Sequence, residues 1–394
     1  MPAISVGATK KSNPSVEAAS RGRTPQVAEL GIAYVSRPHP RAEFPYFDQP
    51  ADDLGVQGAR LGIQDNNTTG RFVAQRFTLK FETLGEGDDA VAMVQRLTAG
   101  GYRYLLVDLP VEELLRLAAS ESARQGLIFD VASSEDVLRG SSCSNHVVHL
   151  LPDRSMRADA LAQYLAKKRW NRWFLIVGRE PGDQAFAAAV ERAAKRFGGK
   201  IVARKDWTYA YDDRRTPESE VPVFTQGSDY DVLWVVDEAG FFGDLLAYRS
   251  WLPRPVVGTQ GLVATAWHRT HEAWGALQLQ NRFKEQAGRW MQEVDYAAWL
   301  AIRAIGEAAT RTKGIDFDAI SAYVRGDQLA LAGFKGVPLS FRSWDGQLRQ
   351  PVLLAQERSM VAVAPIEGFI HPTNELDTLG YDRSESSCHA EAVH

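Results

Sequence analysis

The sequence predicts an α/β protein of two doubly wound lobes, and three observations carry that reading. At 394 residues the chain exceeds what one ordinary core organises, and its 45% hydrophobic content suffices for two. Apolar runs of strand length alternate with segments of helical period, the order that builds parallel sheets with right-handed crossovers. One such series ends near Pro152, and a second begins directly after it.

The first strand is GIAYVS at 31–36, followed by SRPHPRAEFPYFDQP at 36–50. That stretch is too rich in proline to be helical. It predicts a long loop at the carboxyl end of the strand, where open parallel sheets bind ligands. In DDLGVQGARLGIQDNNTTGR at 52–71, Val56, Ala59 and Ile63 fall at helical spacing and give one buried face. Gly55, Gly58 and Gly62 are expected to let this helix lie close to the sheet. RFTLKFET at 76–83 alternates Phe77, Leu79 and Phe81 as a half-buried strand does, and Val91, Val94 and Leu97 mark the next helix. RYLLVD at 103–108 is a buried strand, followed by a helix with Leu114, Leu115 and Ala118 inward. LIFDVAS and HVVHLL complete the lobe as strands.

The second series starts with a helix from Met156 to Lys168, whose Leu161, Tyr164 and Leu165 form an apolar stripe. RWFLIVG at 172–178, KIVAR, DVLWVVD at 231–237 and PVVGTQG at 255–261 read as strands. The long helix Phe186 to Phe197 joins the first two, and Trp173 and Trp234 are assigned to the core. A further helix is expected from Gly288 to Thr312 on Val294, Ala298, Ala301 and Ile305. LSFRSWDGQLRQPVLLAQ reads as a hairpin turning at Asp345-Gly346.

Composition narrows the function classes. A net charge of −4 argues against general nucleic-acid binding, and no run of 18 apolar residues is present to span a membrane. Residues 1–29 are small, polar and without periodicity, which predicts a disordered leader. The segment lacks an apolar h-region and is not a signal peptide as it stands, so an exported protein would have lost its signal. The two cysteines, Cys143 and Cys388, sit in the serine-rich, turn-like settings SSCSN and ESSCH. Two readings stay open: a disulfide pinning the carboxyl tail to the first lobe in an oxidising compartment, or two unrelated free thiols.

Catalytic apparatus is hard to find. GEGDDA at 85–90 follows a strand, opens a helix and has Asp108 ending the next strand, so an NAD-dependent oxidoreductase is the alternative reading. Against it, Glu86, Asp88 and Asp89 place negative charge where a pyrophosphate would sit, which points instead to an acidic helix start. His146 and His149 are three apart on a strand and face opposite sides. His268, His271 and Glu272 would share a helical face but need a further ligand to hold zinc. No G-x-S-x-G, H-E-x-x-H or P-loop occurs. The expectation is a protein that is not an enzyme, with no catalytic cofactor and no metal.

The strand GIAYVS running into DDLGVQGARLGIQDNNTTGR resembles the entry of type I periplasmic solute-binding proteins, the substrate-binding subunits of ABC transporters, and the order of elements follows that plan over residues 30–365. The resemblance implies two Rossmann-like lobes, each interrupted, with a ligand cleft between them. Residues 30–152 and 277–335 would form lobe 1, and 153–276 and 336–365 lobe 2. A leader at 1–29 and a tail at 366–394 complete the division, and the helix near 288–312 returns to lobe 1. It further implies a periplasmic monomer, an ABC permease as partner, and a ligand-sensing or scaffold domain of the same fold as a second alternative.

In this fold the ligand contacts come from the loops at strand carboxyl ends: 36–47, 108–112, 132–136 with Ser133, 178–184 with Gln184, 237–242 with Glu238, and 258–267. Relatives that bind branched-chain amino acids hold the ammonium with a carboxylate on the loop matching Thr259 to Gly261. Here that position is the neutral Gln260, with Glu238 on the neighbouring loop as the substitute. The loops otherwise carry cations and rings: Arg37, His39, Arg41, Phe44, Tyr46 and Phe47 on the first, and Trp267, His268 and Arg269 on the last. Arginine forks bind carboxylates and ring faces pack planar ligands, so the combination suggests a flat anionic solute. Arginine outnumbers lysine 34 to 11 in the chain, and each of these arginines therefore also has a reading as solvated surface.

A narrower resemblance sits on QLQNRFKEQAGRWMQEVDYAAWLAIRAIGEA, with WHRTHEAWGA before it and FKGVPLSFRSWDGQLRQPVLLA after it. This run is similar to the substrate-binding proteins associated with pyrroloquinoline-quinone (PQQ)-dependent alcohol dehydrogenase systems. It implies PQQ, a planar tricycle with three carboxylates, as the bound ligand and a quinoprotein dehydrogenase as a possible partner. Arg282 lies within the run and is a further candidate contact.

Overall fold

Five parallel strands build the first sheet in the computed structural model, which describes Pro2 and residues 27–40, 49–208 and 217–389. They are β1 (Ala28–Ser36), β2 (Gln75–Thr83), β3 (Tyr104–Asp108), β4 (Leu127–Asp130) and β5 (Val147–His149), in the spatial order β2-β1-β3-β4-β5. The crossovers are α1 (Val56–Gly70), α2 (Ala90–Ala99), and α3 (Val111–Ala118) with the short α4 (Glu121–Arg124). β3, β4 and β5 are buried throughout because helices cover both faces of the sheet, which is why they appear in sequence as unbroken apolar runs.

The second lobe begins with α5 (Arg154–Lys168), followed by β6 (Arg172–Val177), α6 (Pro181–Phe197), β7 (Lys200–Asp206), α7 (Pro217–Phe224), β8 (Val232–Val236), α8 (Gly243–Arg249), β9 (Val256–Gly258) and β10 (Leu262–Thr265). The chain then returns to lobe 1 as α9 (Ala276–Ala287), α10 (Glu293–Thr312) and α11 (Phe317–Arg325). β11 (Leu331–Ala332), β12 (Pro338–Phe341) and β13 (Leu348–Arg349) make a small antiparallel sheet, and β14 (Val352–Gln356) and β15 (Ser359–Ala364) go back to lobe 2. Its sheet runs β15-β14-β10-β9-β8-β6-β7, with β14 antiparallel to both neighbours. Trp173 and Trp234 are buried in this lobe with ring centroids 4.8 Å apart. No helix of the described residues is long and apolar enough to cross a membrane.

Several details differ from the sequence reading. Gly288 does not open the long helix but ends α9 in a left-handed conformation (φ 72°); α10 starts at Glu293, where Gln292 and Asp295 form a capping box. Gly58 and Gly62 face α10, not the sheet: a Cβ would lie 1.8 Å from the Asp295 carbonyl oxygen at Gly58 and 2.7 Å from Ile302 Cβ at Gly62. Close helix–helix approach is what demands glycine there. β10 falls inside the 258–267 segment expected to be loop, because Gly261 (φ 76°) turns the chain straight into a short strand paired with β9 and β14.

The lobe boundaries shift as well. Ala266, Trp267, Leu339, Phe341 and Leu348 belong to the lobe 1 core, so the chain crosses after β10 and again between β13 and β14. The tail packs too. Leu379 enters the lobe 2 core, Gly380 N donates to Asp159 at 2.9 Å, and Arg192 and Arg196 donate to the Gly380 carbonyl at 2.7 and 2.6 Å. Cys388 then forms a disulfide with Cys143 on the β4–β5 connection, Cα atoms 5.6 Å apart.

Candidate functional site

The loops after β4 of the first sheet and β8 of the second meet at the first turn of α5, and this junction between the lobes is the crevice. Arg154, in the first turn of α5, reaches Glu135 after β4 of lobe 1 at 2.5 Å and Glu238 after β8 of lobe 2 at 2.6 Å. One turn on, Arg157 pairs at 2.9 Å with Glu293, the first residue of α10 in lobe 1, and donates to the Ala264 carbonyl of β10 at 2.8 Å. Glu293 also accepts from Thr265 Oγ1 and the Ala266 amide. Charged groups of both lobes thus meet on one helix turn. Burial opposes the Arg154 charge, but its bonds to Glu238 and Glu135 outweigh this and raise its pKa.

Behind Glu238 lie two more acids. Asp183, in the capping box of α6, accepts the Glu238 amide at 2.8 Å, and its carboxyl is pushed up to about 6 by burial, with the Asp237 and Glu238 charges adding to the effect. Asp237 accepts the amides of Phe241, Phe242 and Gly243 at 2.7–3.0 Å and so closes the loop into α8.

On the lobe 1 rim, Arg37 is held by lobe 1 partners. It pairs with Glu113 at 2.6 Å and donates to the Gly85 and Asp88 carbonyls at 2.7 and 2.9 Å. This arrangement also fixes the GEGDDA loop: Asp88 accepts the Gly85 amide and Asp89 accepts the Val91 amide as the cap of α2. His39 lies 2.9 Å from Asp108, whose hydrogen bond raises the imidazole pKa against the opposing effect of burial. Tyr34 approaches the same carboxylate at 3.5 Å.

The remaining expected contacts are placed as follows. Ser133 N is held by Asp130, and its carbonyl accepts from Arg139. Gln184 bridges the Gly178 carbonyl and Arg204 of β7. Gln260 donates to the Asp237 carbonyl at 2.9 Å and accepts from Thr259, so its amide is part of the loop. Trp267 is corrected from ligand wall to core: it is 3% exposed and stacks on Tyr296 with centroids 4.3 Å apart. It sits where the chain leaves β10 and joins the lobe 1 core. His268 bonds Thr270 and His271 bonds the Phe334 carbonyl, so each imidazole has its own local partner. Among the described residues no three His, Cys, Asp or Glu converge as metal ligands.

Arg269 is turned to the Glu357 carbonyl at the β14–β15 turn. Arg282 pairs with Asp65, nine residues into α1 and hence about 13 Å from the strand carboxyl ends. Neither arginine is brought to the crevice. Arg41, Phe44, Tyr46 and Phe47 lie outside the described residues.

Sequence reasoning passed over Glu135, Arg154, Arg157 and Glu293. A signal existed: two arginines in the first turn of a helix oppose the macrodipole, so each needs a carboxylate from elsewhere.

Comparison with known proteins places this geometry. Residues 52–215 match the sequence model of a periplasmic binding protein family. No curated protein matches the chain. A branched-chain amino acid ABC transporter periplasmic ligand-binding protein from Burkholderia xenovorans superposes with a TM-score of 0.71 at 15% identity, over 91% of this chain and 99% of that one. An ABC transporter substrate-binding protein from Desulfitobacterium hafniense in complex with Leu gives 0.62 at 17% identity, over 84% and 99%. A solute-binding protein of an ABC transporter from R. palustris in complex with benzoate gives 0.63 at 10% identity, over 92% and 100%. The chain therefore has the two-lobe α/β fold of the periplasmic binding proteins.

Proposed function

We propose that the protein captures one small solute between its lobes in the periplasm and delivers it to an ABC permease, without catalysing a reaction on it. The observation that carries this is Arg154, whose guanidinium bridges Glu135 of lobe 1 and Glu238 of lobe 2. A solute that engages these groups touches both lobes at once and favours the shut state over the open one. The Cys143–Cys388 bond supports an exported location, since disulfides persist in oxidising compartments.

The ligand in this reading is a flat polyanion, with PQQ taken from the sequence resemblance. Its carboxylates would replace Glu135 and Glu238 on Arg154, an exchange of partners that leaves the guanidinium paired. A second reading has one observation in its favour: a single guanidinium faces Glu135 and Glu238, with Asp183 and Asp237 behind them, so carboxylates are in excess. That excess suits a solute bearing an ammonium group, such as the leucine of the D. hafniense complex. Calorimetric titration with PQQ, leucine and benzoate separates the two. One-to-one heat with PQQ supports the first. Heat with leucine alone moves the assignment to the second, and no heat or thermal shift with any of the three removes both.

A further inference from the structure

At the opposite edge of the first sheet, away from the crevice, a recess of about 650 Å³ opens where the amino ends of β3, β4 and β5 meet α11 and the β12–β13 turn. Of its arginines, Arg124 pairs with Glu121 and Arg342 with Asp377, while Arg103 and Arg325 keep different company. Arg325 donates to the Asn145 and Ser321 carbonyls at 2.8 and 3.3 Å. Arg103 donates to the Gln125 carbonyl at 2.9 Å, and its guanidinium lies 3.5 Å from the centre of the Phe317 ring. Among the described residues, neither is within ion-pair distance of a carboxylate. Burial pushes the Arg325 pKa down, and burial followed by the Arg325 and Arg124 charges pushes His146 down, so both arginine charges are felt at His146. Of its two acids, Asp345 is turned to the Gln347 amide and Arg342, and Asp318 stands in the first turn of α11.

Two buried polar atoms in the same wall have no partner: Ser321 Oγ, on a residue 4% exposed, and Trp344 Nε1. Buried polar groups without partners are uncommon; both are donors, and Ser321 neighbours Arg325, which holds no carboxylate. Apolar surface is supplied by Phe317 and the Trp344 ring. The volume falls in the range of small-molecule sites.

We infer that this recess binds a small organic anion with a flat apolar body, of the arene carboxylate class. The carboxylate sits against Arg325, Arg103 and Ser321 Oγ, and the body packs between Phe317 and Trp344. The site is built at strand amino ends, so it is independent of the crevice and of the reading given to it.

Calorimetric titration of the full chain with 2-naphthoate tests this, with uncharged 2-naphthamide as control. The expected result is saturable naphthoate binding, absent with the amide and weakened about tenfold or more in Arg325→Gln, since a charge-assisted hydrogen bond is lost. Ala322→Phe, which fills the recess from an exposed position of α11 without removing a hydrogen bond, is expected to weaken binding by at least as much. No saturable binding by the wild-type protein overturns the proposal. So does equal affinity in wild type, Arg325→Gln and Ala322→Phe, which would place the naphthoate elsewhere on the molecule.

Discussion

Arginines at the crevice and at the recess differ in company more than in kind. At the crevice, Arg37, Arg154 and Arg157 each hold a carboxylate, and two of those pairs cross between lobes. At the recess, Arg103 and Arg325 hold only backbone carbonyls. A guanidinium already paired offers a ligand exchange, in which the gain is a difference between two ion pairs. One held by carbonyls offers addition, in which most of the electrostatic gain is new. Selectivity for anions thus follows from the partners present before binding.

The strongest way to break this contrast is to delete one arginine from each site. Arg154→Met leaves Glu135 and Glu238 facing each other and is expected to lower stability by about 3 kcal/mol, the scale for stranding part of a buried ion-pair network. Arg325→Met strands no acid and is expected to stay within about 1 kcal/mol of wild type. Urea unfolding of both variants measures the difference, and similar losses would erase the distinction.

A sharper test converts exchange into addition. Glu135→Gln with Glu238→Gln removes the competing charges from Arg154, and PQQ affinity is expected to rise about tenfold by calorimetry. Unchanged affinity would mean that Arg154 does not meet the ligand.

The smallest effect concerns an acid next to Glu135 on the same loop. Asp136 is partly buried near Asp153 and accepts from Ser155; desolvation, with the Asp153 charge adding to it, pushes its carboxyl up to about 7. The folded state therefore binds this proton more tightly than the unfolded chain, and stability falls as pH rises from about 4 through about 7. Asp136→Asn removes that slope and is expected to raise the midpoint at pH 8 by a few degrees relative to wild type, with little change at pH 4. Thermal scans at both values check it.

Much of the scaffold was legible in local pattern. β3, β4, β6 and β8 stand out because burial on both faces demands continuous apolar runs, and α1 and α6 because one buried face imposes helical spacing. The Asp345-Gly346 turn was legible from its glycine, which adopts φ 69°. Features that depend on a distant partner were hidden. Nothing near Gly58 announces that Asp295 of α10 will press against it. Trp267 and Gln260 have the chemistry of ligand contacts, yet one is claimed by Tyr296 and the other by Asp237. Loop position gave candidate contacts, while pairing across 19 to 136 residues decides which charges already have partners.

The carboxyl tail acts as a leash on the hinge. Gly380 is moored to α5 and α6 by Asp159, Arg192 and Arg196, and Cys388 is moored covalently to the β4–β5 connection on the other lobe. Any swing between the halves must be taken up by the eight residue steps from Gly380 to Cys388, which fully extended reach at most about 29 Å. That length caps how wide the mouth can gape, and an oxidised molecule samples a narrower range of openings than a reduced one.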